Sequence, residues 1–84
     1  MLKVGDQIKA TVFATPPFGI FVRHTEHPDI DILILITEVS WAKGMSPSDR
    51  AKIGDELLVR IIYVGDETSA RATIVGEEPE GYLG

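Results

Sequence analysis

The 84-residue chain contains no cysteine, which excludes a disulfide framework and any metal site built on thiolates. No apolar run approaches the ~20 residues that a membrane-spanning helix needs. Nor is there a cationic start followed by an apolar core of the kind that directs secretion. These absences point to a cytoplasmic protein that makes no use of a membrane. A catalytic set is missing as well. There is no cysteine nucleophile, the serines fall in loop-like segments without a histidine placed as partner, and the acids lie mainly at predicted turns. The chain therefore reads as a non-enzyme, whole or as a piece of an enzyme, that needs no cofactor and no metal. Its length supports one small domain with one core, and a monomer is expected.

Charge of one sign is also in short supply. Eight basic residues face thirteen acidic ones, a net charge of −5. Nucleic-acid binders usually show a basic surface, because neutralising phosphates and releasing counterions supplies much of their affinity. Here Glu77, Glu78 and Glu80 crowd the end of the chain, so residues 1 to 76 hold ten acids against eight bases, a net of −2. The body is nearly neutral, which permits a local basic patch and excludes a strongly cationic field.

What is present is β-structure. Apolar residues make up 44% and charged residues 25%, the balance of a globular chain. Period-two alternation dominates, and no long segment keeps a helical period. A first strand is predicted in DQIKATVFAT, with Ile8, Ala10, Val12 and Ala14 on the core side and Lys9, Thr11 and Phe13 opposite. Pro16 and Pro17 remove two backbone donors and stop it. A second strand is predicted in FGIFVRH, a loop in TEHPD, and a third, buried strand in IDILILIT. Ser46-Pro47-Ser48-Asp49 has the form of a cap and first turn, which places a short helix or 3₁₀ segment around 47–52. ELLVRIIYVG and SARATIV make the fourth and fifth strands. The Gly-Asp pairs at 5–6, 54–55 and 65–66 read as turns. Five short strands with one brief helix between the third and fourth form the layout of an all-β OB-fold barrel, whose closure removes sticky edges. A single domain over residues 4–76 and an acidic tail or linker over 77–84 are expected.

Within this layout, TPPFGIFVRH places Phe18 and Phe21 close together in a chain with only 7% aromatic residues. Residues three apart on a regular strand point to opposite faces. A bulge at Gly19 would turn both rings outward; without one, one of the two phenylalanines packs in the core. Two exposed rings would make a platform for bases, since every base has a π face and stacking needs no particular sequence.

VGDQIKATV, FGIFV, LITEVSW and IGDELLVRIIYV, followed by a strand carrying Arg71, together resemble the S-one (S1) domain. This is an RNA-binding module repeated in the largest small-subunit ribosomal protein and attached to polynucleotide phosphorylase. The resemblance runs from about Val4 to Val75. It implies an OB-fold that binds single-stranded RNA on one barrel face, through two aromatics of strand two, a histidine of strand three, and an aspartate and an arginine around strand five. Phe18 and Phe21 fall on the aromatic positions and Arg71 on the arginine. Asp66 falls near the aspartate, five residues before Arg71 where the family pattern has four. Leu35 takes the histidine position, and Ile32 the place of a usual glycine.

Lys9, Arg23 and His24 complete the predicted site as its fringe. His24, His27, Asp29 and Asp31 bring imidazoles and carboxylates together, but histidines three apart on a loop are a weak metal signal and no site is assigned there. Trp41 suits a plug at the barrel end better than a platform, and Arg60 is expected to face outward. Two partners fit this sequence. One is single-stranded RNA held with little sequence preference, in translation or RNA metabolism. The other is a ribosome or an RNA-processing enzyme on which the module docks, a reading that Leu35 and Ile32 would favour by making the face apolar.

Overall fold

The computed structural model describes residues 2–79. Five strands, β1 (Gln7–Ala14), β2 (Gly19–His24), β3 (His27–Leu35), β4 (Glu56–Val64) and β5 (Ser69–Ile74), close into a barrel in the order β1-β2-β3-β5-β4. Every pair is antiparallel except β3 with β5. This is the expected OB-fold, and its cause is the alternation in the sequence. Val12, Ile20, Val22, Ile32, Ile34, Val59 and Ile61 are at most 1% exposed and fill the interior. Ala10, Ala70 and Ala72 supply the small positions that such a barrel needs among large ones. Thr73 is fully buried on β5, and its hydroxyl donates to the Glu38 carbonyl at 2.6 Å, so no polar atom is left stranded there.

The strand ends are set by turns of one design. Lys3-Val4-Gly5-Asp6 enters β1 and Lys52-Ile53-Gly54-Asp55 enters β4. In both, the glycine has positive φ (96° and 99°) and the aspartate accepts the lysine N–H at 2.9 Å. The third pair, Gly65-Asp66, turns β4 into β5.

Several boundaries differ from expectation. The β2–β3 hairpin turns on Thr25 and Glu26 alone, and His27, Pro28 and Asp29 belong to β3. Pro28 is tolerated because the ladder is irregular between the His24–His27 and Val22–Ile32 pairs, so no partner awaits its missing N–H. β3 stops at Leu35, where Ile36–Glu38 forms a 3₁₀ turn. The helix α1 (Pro47–Arg50) has the foreseen cap at Ser46, made as a capping box with Asp49, but is two residues shorter than predicted.

Glu77 and Glu78, assigned by composition to the tail, are bonded to the barrel. The Glu77 carboxylate accepts Trp41 Nε1–H at 2.6 Å, Arg50 Nε–H at 2.8 Å and Arg50 Nη2–H at 2.5 Å, while Arg60 reaches Glu78 at 3.4 Å. Trp41 is thereby fixed against the core, and Arg60 is paired with Glu78. Tail positions 80–84 lie outside the described residues.

The hydrogen bonds from Arg50 hold the Glu77 carboxyl below the ordinary glutamate value, against partial burial, which acts the other way. A carboxyl with a lowered folded-state value stabilises the fold above its unfolded value, about 4.3, and loses that contribution as pH falls. Glu77→Gln is therefore expected to lower the melting temperature at pH 7 and to reduce the difference from wild type as pH falls below about 4. Parallel thermal melts from pH 7 to pH 3 check this.

Candidate nucleic-acid interface

Three phenylalanines cluster on one outer face of the barrel, Phe13 from β1, Phe21 from β2 and Phe18 from the turn between them. The Phe18 and Phe21 rings stand edge to face with centroids 6.0 Å apart, and Phe13 lies 5.7 Å from Phe21 at a 34° tilt. Phe18 is 49% exposed, while Phe13 and Phe21 are half-buried against their neighbours.

The device that turns both rings outward is not a bulge at Gly19. β2 begins at Gly19, so Phe18 sits in the preceding turn and is free of strand alternation. Its carbonyl accepts Ile36 N–H at 3.1 Å, which pins the turn to the end of β3. Gly19 is required for a different reason. It pairs with Leu35 in regular register, and a Cβ there would lie 2.4 Å from the Ile34 carbonyl oxygen. The register shift falls instead on β1, between the Val12–Val22 and Ala14–Phe21 pairs. It makes Phe13 the extra residue and moves Ala14 out of the core, contrary to simple alternation. The outward parity of Phe13 was legible in the sequence; its contact with Phe21 was not.

A second shift, between Ile61 and Tyr63 of β4, does the same on the far side. Alternation from the buried Ile61 would carry Tyr63 inward. The shift instead leaves it 55% exposed and turns Val64 toward the core. The register then aligns Phe21 with Leu33, Leu33 with Arg71, and Arg71 with Tyr63, a row across four strands. A groove of about 390 Å³ runs along this row, with Asp31 and Ser69 on its rim. The exposed Arg71 lies with its guanidinium carbon 5.9 Å from the Tyr63 ring centre, and among the described residues it has no ion-pair partner.

The other predicted residues divide by position. Arg23 lies 4.1 Å over the Phe13 ring and donates to Asp31 Oδ1 at 2.9 and 3.1 Å, so it adjoins the platform with its charge partly neutralised. Leu35 opposes Gly19 at the platform edge. Lys9 is exposed on β1, four residues or roughly 13 Å along the strand from Phe13. His24 stacks on His27 at 5.6 Å beside the hairpin turn, with its Nδ1 accepting Glu26 N–H. Asp66 accepts Thr68 N–H at 2.7 Å and the hydroxyls of Thr68 and Ser69 at 2.9 and 3.1 Å. These bonds, that from the Thr68 backbone first, hold its carboxyl below the ordinary aspartate value and commit it to its own turn. Ile32 is fully buried and contributes nothing to this face, contrary to the expectation that it would make the surface more apolar. No group of three or more metal-ligating side chains is arranged around a common point among the described residues.

Residues 1–74 match the family described as S1 RNA binding domain. Over 96% of its length the chain is 35% identical to a polyribonucleotide nucleotidyltransferase of Lactococcus lactis subsp. cremoris, and 29% identical to that of Streptococcus suis. In each case it spans 11% of the relative's own length. Among solved structures, GSP13 from Bacillus subtilis matches all of this chain with 66% of its own, at a TM-score of 0.76 and 20% identity. A chain of the a/eIF2alpha-aDim2p-rRNA complex from Pyrococcus horikoshii matches 88% of this chain with 45% of its own, at a TM-score of 0.76 and 21% identity. At these identities the structural likeness concerns the fold.

Proposed function

This chain belongs to the S1 RNA binding domain family, and from that premise we propose that it holds single-stranded RNA, with little sequence preference, on the face around Phe18 and Phe21. The observation that carries the reading is the aromatic cluster standing beside an exposed cation. Phe18 and Phe21 offer ring surface to bases, and Arg71, which has no ion-pair partner among the described residues, offers a guanidinium to phosphate or base. Arg23, Lys9 and His24 fringe the platform. The role is that of a binding module in translation or RNA metabolism in the cytoplasm. Affinity is modest, because Arg50 and Arg60 are occupied by Glu77 and Glu78 and lie outside the site.

Titration of isotope-labelled protein with a short single-stranded RNA tests this. Amide shifts should centre on Phe18, Phe21 and Arg71. The salt dependence should be shallow, with a logarithmic slope near −1 to −2, as expected for roughly two phosphate contacts at about 0.7 each. A flat titration at low salt overturns the reading. Leu35→His, at the platform edge, is expected to strengthen binding severalfold by adding one hydrogen-bonding group, worth about 1 kcal/mol.

A second reading, docking on a ribosome or on an RNA-processing enzyme, draws on Leu33 and Leu35, which add apolar surface beside Phe21 and at the platform edge. It predicts that the same amides respond to the partner and not to RNA.

A further inference from the structure

Tyr63 does not belong to the platform of phenylalanines, yet it is the most exposed aromatic side chain among the described residues, at 55%. A surface tyrosine on a strand needs no function by itself. Three features set this one apart. A register shift in β4 reverses the parity that would have buried it. Its ring lies close over Gly65, where a Cβ would approach Cε2 at 3.2 Å, so the glycine leaves room for the ring's position. It also ends the row Phe21–Leu33–Arg71–Tyr63 and walls the groove that Phe21 walls on the other side.

Phe21 and Tyr63 are separated by three strand spacings of about 4.8 Å each, roughly 14 Å. One base cannot touch both. A nucleotide segment can, with one base on the phenylalanines, a later base on Tyr63, and the intervening phosphate at Arg71. At about 390 Å³ the groove falls within the roughly 300–1,000 Å³ of sites that bind small organic groups.

We propose that Tyr63 is a second base-stacking position, so that RNA crosses the barrel from β2 over β3 and β5 to β4 instead of following β2 toward Arg23 and His24. Arg23 is already paired with Asp31 at 2.9 Å, which makes the route past it the less attractive one for a phosphate. This assignment rests on the single-stranded RNA reading and extends it to a strand of the barrel that the reading leaves unused.

The test uses hexauridylate, long enough to span the row, and diuridylate, which reaches only one end of it, each titrated by NMR. Tyr63→Ala should weaken hexauridylate binding about tenfold, within the range of one stacked base, and leave diuridylate binding at the phenylalanines unchanged. Tyr63→Phe should bind hexauridylate within about twofold of wild type, because stacking requires the ring and not the hydroxyl. Unchanged hexauridylate affinity in Tyr63→Ala overturns the assignment alone. So does an equal loss for both oligonucleotides, which would mean that Tyr63 acts through the fold, or a Tyr63→Phe variant as weak as Tyr63→Ala. If the wild-type protein binds neither oligonucleotide, the RNA reading falls and this extension falls with it.

Discussion

Alanine at both Phe18 and Phe21 is expected to reduce single-stranded RNA affinity by at least about 30-fold, and to do so nearly independently of salt. Each base stacked on an aromatic ring is worth ~1–3 kcal/mol, so losing two stacks removes at least about 2 kcal/mol. The salt dependence reports phosphate contacts, and neither phenylalanine makes one. Arg71→Ala is expected to behave in the opposite way, with a smaller loss at high salt than at low salt and a salt slope shallower by about 0.7. The two kinds of change therefore separate stacking from charge in a single set of titrations.

The phenylalanines differ in what else they do. Phe18 is half exposed in a turn, so its truncation should leave the melting temperature within a few degrees of wild type. Phe21 lies between Phe18 and Phe13, so its truncation also uncovers part of the Phe13 ring and removes support for Arg23 above it. Phe18→Ala alone is thus the cleaner probe of binding. If it melts like wild type and binds RNA equally well, the platform is not where bases sit.

The barrel was legible in the sequence because alternation over most of each strand is a local signal, and Val12, Ile20, Val22, Ile34, Val59 and Ile61 all obey it. Phe18, Phe21 and Arg71 were placed by their resemblance to a family pattern, and the fold sets the three on one face. Most of what was missed arises where alternation breaks. The shifts at Phe13 and Tyr63 exist because β1 and β4 must satisfy different neighbours on their two edges, a condition that no single strand encodes. Ile32 was misplaced because its role was taken from the motif position alone, whereas its parity with Ile34 already marked it as core. Glu77 could not be assigned from sequence, since its partners Trp41 and Arg50 lie 36 and 27 residues away.

Gly19→Ala is expected to be the most damaging small substitution in the molecule, lowering the melting temperature by roughly 10 °C or more. The new Cβ would stand 2.4 Å from the Ile34 carbonyl oxygen, an atom of the neighbouring backbone that cannot rotate away. Relief requires β2 to move off β3, at a cost of about 2–3 kcal/mol, typical of an overpacked interior. That is a large share of the stability of so small a domain. The displaced element is also the one that positions the platform, because the same stretch of β2 and β3 carries the Gly19–Leu35 pair and the Phe18–Ile36 hydrogen bond. RNA affinity should therefore fall even at temperatures where the variant remains folded. Gly5→Ala supplies the contrast. Gly5 has a φ of 96° and open space around the missing Cβ, so alanine there strains only its own turn, by about 1–2 kcal/mol. The turn lies at the entry to β1, away from the phenylalanines, and its variant should lose stability while keeping RNA affinity. A Gly19→Ala protein that melts and binds like wild type would mean that β2 and β3 do not approach as closely as the register requires. In that case the turn carrying Phe18 is held by something other than the end of β3.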